Sequence, residues 1–381
     1  MRISRTLGLL LIYLQRRNIV NGIKRYVSKM IILNGDIKDI QDKQGLNKWS
    51  KKWSIFGGKP NPEMYKFFHH YMGDNENIVP GDISQNFIEP ILTPQEFQPF
   101  YNDKNSFGVI IPKEMMPKTY LRSVNGVIYD GDYNNIDKSK FNDLFADETK
   151  IIVKPSRDMG GHGISLFSRN SKDEAFTDNE GNKLSIDFLV QRYKNNFLVQ
   201  ECLKQSPFMA QFNPTSVNTI RLGVYRDVKT GELRIMDGVL RIGGKGAVVD
   251  NITSGGSSAP IDVTNGKLGK YTCDISRVKR SIYNDINFAD NEFIIPNWNK
   301  VRTLVLEVAK RMPHMSLFAN DVALDEHNEP KLIEVNTTNF TYTIYQVNGK
   351  PFYREYTDDV IQHCYKHQKK LQPNIVLKLQ D

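Results

Sequence analysis

The sequence predicts an α+β fold with mixed or antiparallel sheets, and two observations support this prediction. Short apolar runs typical of strands alternate with helical stretches between about residues 106 and 200, and strands dominate after Phe197. Strand-rich segments that follow one another without long helices between them favour antiparallel pairing over a regular parallel α/β repeat. Helical patterns occupy both ends of the chain.

Length and composition are those of a globular protein. The 381 residues, 39% hydrophobic and 25% charged, suffice for one large domain or two to three ordinary ones and argue against disorder. No apolar run approaches the roughly 20 residues of a membrane-spanning helix. The three cysteines, Cys202, Cys273 and Cys364, are far apart and have no zinc-type spacing, which favours a reducing compartment.

The positive charge is concentrated at the N-terminus. The net charge is +8, and residues 1–30 contain seven Lys and Arg residues and no acid, so the remainder carries only +1. The nearly neutral body argues against a nucleic-acid partner.

Residues 16–30 have the pattern of a basic amphipathic helix. Its apolar positions are Ile19, Ile23, Tyr26, Val27 and Met30. Three interpretations remain open: a helix packed on the body, a peripheral contact with an anionic membrane such as the inner membrane face, or a targeting peptide. The apolar stretch Leu7–Leu14 lacks a small-residue cleavage site, which weakens the last of them.

Periodicity then predicts the elements in chain order. Residues 35–100 form an irregular helical cap that includes a helix at Glu63–Met72. The strands predicted before the second half of the chain are Val109–Ile111, Val127–Tyr129 and Lys150–Lys154. Those predicted later are Phe197–Gln200, Thr219–Tyr225, Leu233–Ile242, Ala247–Val249, Leu317–Leu324 and Pro330–Val335.

A helix is predicted at residues 298–311, and a helical tail ends the chain. In the first of these, Asn299 is the predicted N-cap, and the residues predicted to face inward are Val301, Leu304, Val305 and Val308.

Common nucleotide and metal motifs are absent from the sequence. It contains no GxxxxGK[ST], no GxGxxG after a strand, no HExxH and no kinase signature pair.

Three other patterns are typical of a nucleotide site. Lys154 ends an apolar strand and precedes a loop with Gly160, Gly161 and Gly163, whose backbone N–H groups can approach a polyphosphate. Glu201 ends another apolar strand, where a carboxylate can contact a ribose. Each pattern alone is also compatible with an ordinary hairpin or strand end.

The third pattern is a possible magnesium site. Glu334 and Asn336 are two residues apart on one strand and so share a face, and Asp321 lies one hairpin away. Two carboxylates and an amide oxygen suit Mg²⁺, although a hydrogen-bonded polar face of a sheet is the alternative.

In this order the three patterns resemble the ATP-grasp superfamily. Further blocks are similar to its sugar-transfer-associated family, which is linked to cell-surface polysaccharide biosynthesis. These blocks are Phe212–Arg221, Leu240–Gly243, Val249–Asn251 and Gly255-Gly256, and the resemblance runs from about Asp103 to Gln346. His162 in the glycine loop and Thr337 after Asn336 depart from the family pattern.

The resemblance implies two α+β subdomains, at residues 101–200 and 201–381, that clamp ATP next to an N-terminal cap of residues 1–100. Nucleotide binding is implied for Lys104, Lys154, Gly160, Gly161, His162, Gly163, Glu201 and Leu203. Two magnesium ions are implied at Asp321, Glu334 and Asn336, and the transferring phosphoryl group at Arg221 and Arg241. Substrate contacts are implied for Asn218, Asp250 and Asn251.

The function implied by the resemblance is an ATP-dependent carboxylate–amine ligase in a bacterial cytoplasmic setting. It would join an amino acid or amino sugar to a sugar or sugar acid through an acylphosphate. Two alternatives stay open: a kinase of the same fold that phosphorylates a sugar or small molecule, and a non-catalytic nucleotide-binding or membrane-scaffold protein.

Overall fold

The computed structural model describes residues 5–35, 37, 42–157, 163–247, 250, 252 and 255–368. Its helices are α1 (Arg5–Asn34), α2 (Lys43–Trp53), α3 (Pro62–Met72), α4 (Gly81–Ile83), α5 (Glu89–Leu92), α6 (Gln98–Tyr101), α7 (Lys104–Ile110), α8 (Ile186–Tyr193), α9 (Pro207–Ala210), α10 (Trp298–Lys310), α11 (Thr343–Gln346) and α12 (Thr357–His367). Its strands are β1 (Thr119–Val124), β2 (Val127–Asp130), β3 (Lys150–Pro155), β4 (Ser165–Ser168), β5 (Phe197–Glu201), β6 (Thr219–Arg226), β7 (Leu233–Ile242), β8 (Ser257–Ile261), β9 (Thr272–Cys273), β10 (Lys279–Arg280), β11 (Ile282–Tyr283), β12 (Ile286–Asn287), β13 (Leu317–Leu324) and β14 (Pro330–Asn336).

All strand pairs within the described residues are antiparallel, which confirms the predicted α+β fold. The first sheet has five strands in the order β2-β1-β5-β3-β4, and the second has seven in the order β10-β9-β8-β7-β6-β13-β14.

The first sheet buries one face and directs polar side chains from the other. Ile151, Val153 and Val199 pack with Leu189 of α8 in a core of aliphatic and aromatic residues. Alternation along β3 therefore places Lys154 on the opposite face, away from this core.

The second sheet packs against α10 on one face. The predicted inward positions of this helix, Val301, Leu304, Val305 and Val308, are all buried there. The predicted cap residue is wrong, since α10 begins at Trp298 and Asn297 occupies the N-cap position without a side-chain capping bond. Trp298 is buried, and its Nε1–H donates to the Val263 carbonyl at 3.2 Å. These tertiary contacts hold Trp298 inside the helix, so the cap position lies before it.

The opposite face of the second sheet carries the helical cap. Here the buried residues of α1 to α5 pack with those of α11 and α12 in a second core. Tyr225 and Val239 of the sheet also belong to this core. Trp49 and Trp53 of α2 are fully buried, and each donates its indole N–H to a backbone carbonyl of the segment 76–78. The helical cap is therefore packed on the second sheet through this buried core.

Two predicted strands differ from the structure. Val109–Ile111 is not a strand, because α7 extends to Ile110 from an N-cap at Asp103, whose carboxylate accepts from the Asn105 N–H at 2.9 Å. Ala247 is not in a strand either, and the rest of the prediction Ala247–Val249 lies outside the described residues. The strands β1, β4 and β8 to β12 were not predicted.

Helix α1 divides into a packed part and an exposed part. Val27 and Met30 are buried in the core under the cap, and Ile23 and Tyr26 pack against it. Towards the N-terminus, Leu9, Leu10, Tyr13 and Leu14 are 44–60% exposed. No described helix combines the length and the apolarity that crossing a membrane demands.

Candidate active site

Three neighbouring strands of the second sheet bring the predicted metal and phosphoryl residues together. Asp321 of β13 is the register partner of Arg221 on β6 and of Glu334 on β14. Directly opposed residues in antiparallel strands share a face, and the alternate positions on these strands fill the core under α10. The polar row therefore lies on the face that also carries the cap.

Asp321 is the most heavily bonded member of this row. Arg221 donates Nε and Nη2 to its two oxygens at 2.7 and 2.6 Å, and Arg241 donates Nη1 to Oδ2 at 3.0 Å. Asn336 adds a bond from Nδ2 at 3.2 Å. Burial acts to raise the pKa of Asp321, but the charges of Arg221 and Arg241 outweigh it and hold this pKa below its usual range.

Arg241 links this row to a second carboxylate. Its Nη2 lies 3.1 Å from Oδ1 of Asp250, and the Thr219 hydroxyl donates a hydrogen bond to Oδ2 of the same carboxylate. Burial raises the pKa of Asp250 above its ordinary value, although Arg241 opposes the rise. Arg241 therefore bridges two carboxylates of the chain itself, whereas Arg221, among the described residues, pairs with Asp321 alone.

The two other predicted substrate residues differ from Asp250. Asn218 is fully buried, and its Nδ2 donates to the Met209 and Asn213 carbonyls at 2.8 and 2.9 Å. These hydrogen bonds stabilise the connection between α9 and β6, so the Asn218 side chain has a structural role. Asn251 lies outside the described residues.

One of the two predicted phosphate-binding lysines contacts the polar row of the second sheet, and the other is buried near it. Lys104, at the start of α7, is 8% exposed and contacts Oε1 of Glu334 through Nζ at 2.9 Å. Lys154 is equally buried. Burial, together with the nearby charges of Lys104 and Arg122, lowers the pKa of Lys154 to about 7, against the attraction of Glu334.

Arg122 is a further candidate that the sequence analysis did not identify. Arg122 on β1 and Lys154 on β3 both pair with Leu198 of β5, so they share the polar face of the first sheet. The side chain is 3% exposed, and Nη1 reaches the Lys104 carbonyl at 3.4 Å. The available signal was a lone charge inside the apolar run Tyr120–Val124.

Glu201 lies at the end of β5 and borders a cavity of about 600 Å³. Residues from the first sheet (Tyr120, Arg122) and Lys331 from β14 also line it. The Glu201 carboxylate accepts from the Lys118 N–H at 2.8 Å, and Leu203 is half-buried beyond it. The cavity thus has walls from both sheets.

The predicted glycine loop is only partly described. Gly163 has a φ of 71°, a backbone conformation that favours glycine. Gly160, Gly161 and His162 lie outside the described residues.

The donor set agrees in chemistry with a magnesium site. Asp321, Glu334 and Asn336 supply two carboxylates and an amide that contacts Asp321 through its nitrogen, which leaves the amide oxygen as an acceptor. In the part of the chain that is described, no group of three or more His, Cys, Asp or Glu residues could hold a metal ion. A magnesium site here would therefore need the amide oxygen or phosphate oxygens.

Comparison with known proteins gives a family match. The family model described as "Sugar-transfer associated ATP-grasp" matches residues 83–360. A comparison with the curated proteins finds no match.

Several solved structures are similar. N5-carboxyaminoimidazole ribonucleotide synthetase from Thermotoga maritima is 11% identical, with a TM-score of 0.36 over 70% of this chain and 51% of that one. D-alanine–D-alanine ligase from Bacillus anthracis is 12% identical, with a TM-score of 0.37 over 71% and 69%. Biotin carboxylase from Campylobacter jejuni is 10% identical, with a TM-score of 0.43 over 71% and 47%. The chain therefore spans about half the length of the first and the third.

Proposed function

Because the chain belongs to the sugar-transfer-associated ATP-grasp family, we propose that it is an ADP-forming ligase that joins a carboxylate to an amine. The observation that carries the proposal is the contact between Lys104 and Glu334. It joins a lysine of the proposed first subdomain, at 101–200, to an acidic residue of the proposed second, at 201–381. The binding of a nucleoside triphosphate requires cationic side chains and a metal site that lie close to each other.

ATP would lie between the two polar sheet faces. Lys104 and Lys154 would bind its phosphates, and the loop from Gly160 to Gly163 would cover them. Glu201 and Leu203 would contact the ribose and adenine, and the cavity of about 600 Å³ beside Glu201 supports this position. Arg122, buried on the same face as Lys154, adds a third positive charge.

Asp321, Glu334 and Asn336 would hold Mg²⁺, which neutralises charge on the phosphates when bound. Arg221 forms an ion pair with Asp321, and Lys104 forms one with Glu334. On nucleotide binding, Lys104 would exchange Glu334 for a phosphate oxygen. Arg221 and Arg241 would then face the phosphoryl group in transfer and stabilise its equatorial oxygens.

The proposed reaction has two steps. A carboxylate oxygen of the first substrate attacks the γ-phosphorus of ATP, the bond to ADP breaks, and an acylphosphate forms. An amine of the second substrate then attacks the acyl carbon, the carbon–oxygen bond to phosphate breaks, and the amine loses a proton. The products are an amide, ADP and inorganic phosphate. The chain contributes mainly positioning and charge neutralisation.

A screen for ADP release tests the proposal. Amino acids are crossed with uronic acids and amino sugars, each with and without Mg²⁺, and both ADP and inorganic phosphate are measured. Equal release of ADP and phosphate supports a ligase. Phosphate retained on the product indicates the kinase alternative, and nucleotide binding without turnover indicates a non-catalytic protein.

The biological setting belongs to the same proposal. The family description supports a role in cell-surface polysaccharide synthesis, in which an amino acid or amino sugar would be joined to a sugar or sugar acid on the cytoplasmic side. The exposed residues Leu9, Leu10, Tyr13 and Leu14 on a basic helix support a peripheral contact with the inner membrane face. Pelleting of the full chain with anionic vesicles, but not with neutral ones, tests this contact.

A further inference from the structure

A cavity of about 350 Å³ lies between the polar face of the second sheet and the helical cap. We call it the cap cavity. Arg221 and Arg241 line its sheet side, and Ile23 and Tyr26 of α1 line another wall together with the segment 340–344. The cap therefore closes a space that opens directly onto the two arginines of the proposed phosphoryl site.

Arg277 lines the same cavity and is buried, and the described part of the chain gives it no ion-pair partner. Arg277 is only 4% exposed. Nη1 and Nη2 make long contacts of 3.4 Å with the Asp274 carbonyl and the Tyr26 hydroxyl, and Nε has no hydrogen-bond partner. Among the residues described, no carboxylate lies within ion-pair distance of its guanidinium group. A buried cation in this state is unfavourable unless a ligand supplies the anion.

The other charged groups of the cap cavity are already engaged. Arg221 and Arg241 are paired with Asp321, and Arg241 also with Asp250. Glu89 is the cavity's acidic residue, and burial raises its pKa to about 7. Its two oxygens accept from the Ser84 hydroxyl and the Phe340 N–H at 3.1 and 3.0 Å, so it is not the partner of Arg277.

Apolar side chains fill the walls between these charges. Ile23, Met64 and Ile275 line the cap cavity, and Phe340 and Ile344 add further apolar surface. Such walls favour a ligand with an apolar carbon skeleton over a second polyphosphate, and a volume of this size holds a small molecule.

We propose that the cap cavity binds the carboxylate substrate and that this substrate is a dianion. The reacting carboxylate would lie at Arg221 and Arg241, and a second oxyanion, a carboxylate or a phosphate-type group, would pair with Arg277. The assignment of the reacting end rests on the proposed ligase function, whereas the binding of a dianion at Arg277 does not. This arrangement also gives the cap a role, because its residues select the substrate.

Binding of matched probes to the full chain tests the proposal. The probes are straight-chain dicarboxylates of four to eight carbons, ω-phosphono monocarboxylates of the same lengths, and the corresponding monocarboxylates, measured by calorimetry without nucleotide. We expect one dianion to bind at least ten-fold more tightly than its monocarboxylate. The better of the two dianion series identifies the second oxyanion.

Three variants connect the preference to Arg277. Arg277→Met should weaken the best dianion at least ten-fold and leave its monocarboxylate unchanged, and Arg277→Lys should lie between wild type and Met. The matched control is Arg280→Met, an exposed arginine three residues away that does not line the cavity. It should change dianion affinity by less than about two-fold. Equal affinity for dianion and monocarboxylate, or an Arg277→Met protein with wild-type dianion affinity, overturns the proposal.

Stability and nucleotide binding separate this inference from a structural role and from the proposed function. Removal of a buried charge that has no ion-pair partner among the described residues should keep or raise the melting temperature of Arg277→Met, whereas a purely structural arginine would lower it. MgATP affinity should be unchanged in all three variants. Dianion binding that depends on Arg277 in a protein that never forms ADP refutes the ligase and supports the cavity. ADP formation with no dependence on Arg277 refutes the cavity alone.

Discussion

Arg221 and Asp321 are cross-strand partners on β6 and β13, and the guanidinium group donates two hydrogen bonds to the two oxygens of the buried carboxylate. The positive charge of Arg221 therefore neutralises one of the proposed metal ligands before any ligand binds. Binding of Mg²⁺ and nucleotide would exchange this internal ion pair for new ones, and the affinity for both would depend on the strength of the pair.

The Arg221–Asp321 pair can be tested by a double-mutant cycle. Arg221→Met should lower the free energy of unfolding by about 3 kcal/mol, because it leaves a buried carboxylate with fewer counter-charges. Combined with Asp321→Asn, it should cost less than the sum of the two single changes, since no lone charge remains. Denaturant unfolding of the four proteins measures this coupling. Strictly additive changes would contradict a coupled pair.

Glu334→Gln tests the metal site. The amide still accepts a hydrogen bond from Lys104 but removes its counter-charge, so we expect stability to fall by only about 1 kcal/mol. ADP formation that depends on Mg²⁺ should fall at least 100-fold, because divalent cations need the negative ligand. Asn336→Asp, which keeps an oxygen at its position, is the comparison variant and should do less harm. Full activity of Glu334→Gln would remove this residue from the site.

Lys154 predicts proton uptake on nucleotide binding. Its pKa of about 7 in the free protein leaves it about half charged at pH 7, and a bound polyphosphate should raise this pKa towards its ordinary value near 10.5. Uptake should therefore be small at pH 5.5, near half a proton at pH 7 and larger at pH 8. Calorimetry in buffers of different ionisation enthalpy measures it.

Two variants isolate the contribution of Lys154. Lys154→Met should abolish this part of the uptake and weaken nucleotide binding at least ten-fold, because a charge-assisted phosphate contact is lost. Lys172→Met, an exposed lysine whose Nζ contacts Asp147 at 2.7 Å, is the control and should behave as wild type. Unchanged uptake in Lys154→Met would exclude this lysine from the phosphate site.

Glu89 predicts a stability effect that depends on pH. Its folded pKa of about 7 lies above the ordinary value of 4.5, so the folded state binds more protons between these two values. The contribution of Glu89 to stability is fully present below pH 4.5 and is lost as the pH rises through 7. Glu89→Gln should therefore stabilise the protein relative to wild type more at pH 8 than at pH 5. Unfolding at the two pH values measures the difference, and a constant difference would contradict a raised pKa.

Deletion of residues 1–14 tests the exposed part of α1. The side chains of Leu9, Leu10, Tyr13 and Leu14 are outside the core, so the melting temperature should change by no more than a few degrees and nucleotide turnover should persist. A deletion that also removes Val27 and Met30 is the contrasting variant and should abolish cooperative unfolding, because both residues are buried. Aggregation of the shorter deletion would show that this part packs in the fold.

Local patterns in the sequence were sufficient for the fold class and for much of the candidate site. The helix at 298–310 and the strands around Lys154, Arg221, Asp321 and Glu334 were predictable because a side chain's face follows from the period of its own element. The same rule placed Glu334 and Asn336 together. It failed at Val109–Ile111, where three apolar residues end a short helix that a polar cap begins.

Only the tertiary structure decided which of these faces meet. Arg221 and Asp321 are 100 residues apart and become partners through the pairing of β6 with β13. Arg122 joins Lys154 because both strands pair with β5. Arg277 becomes a buried cation without an acidic partner among the described residues, because α1 and the cap close over it. Periodicity encodes the direction of a side chain within one element, whereas the charges that surround it come from elements distant in the chain, whose pairing and packing depend on the whole fold.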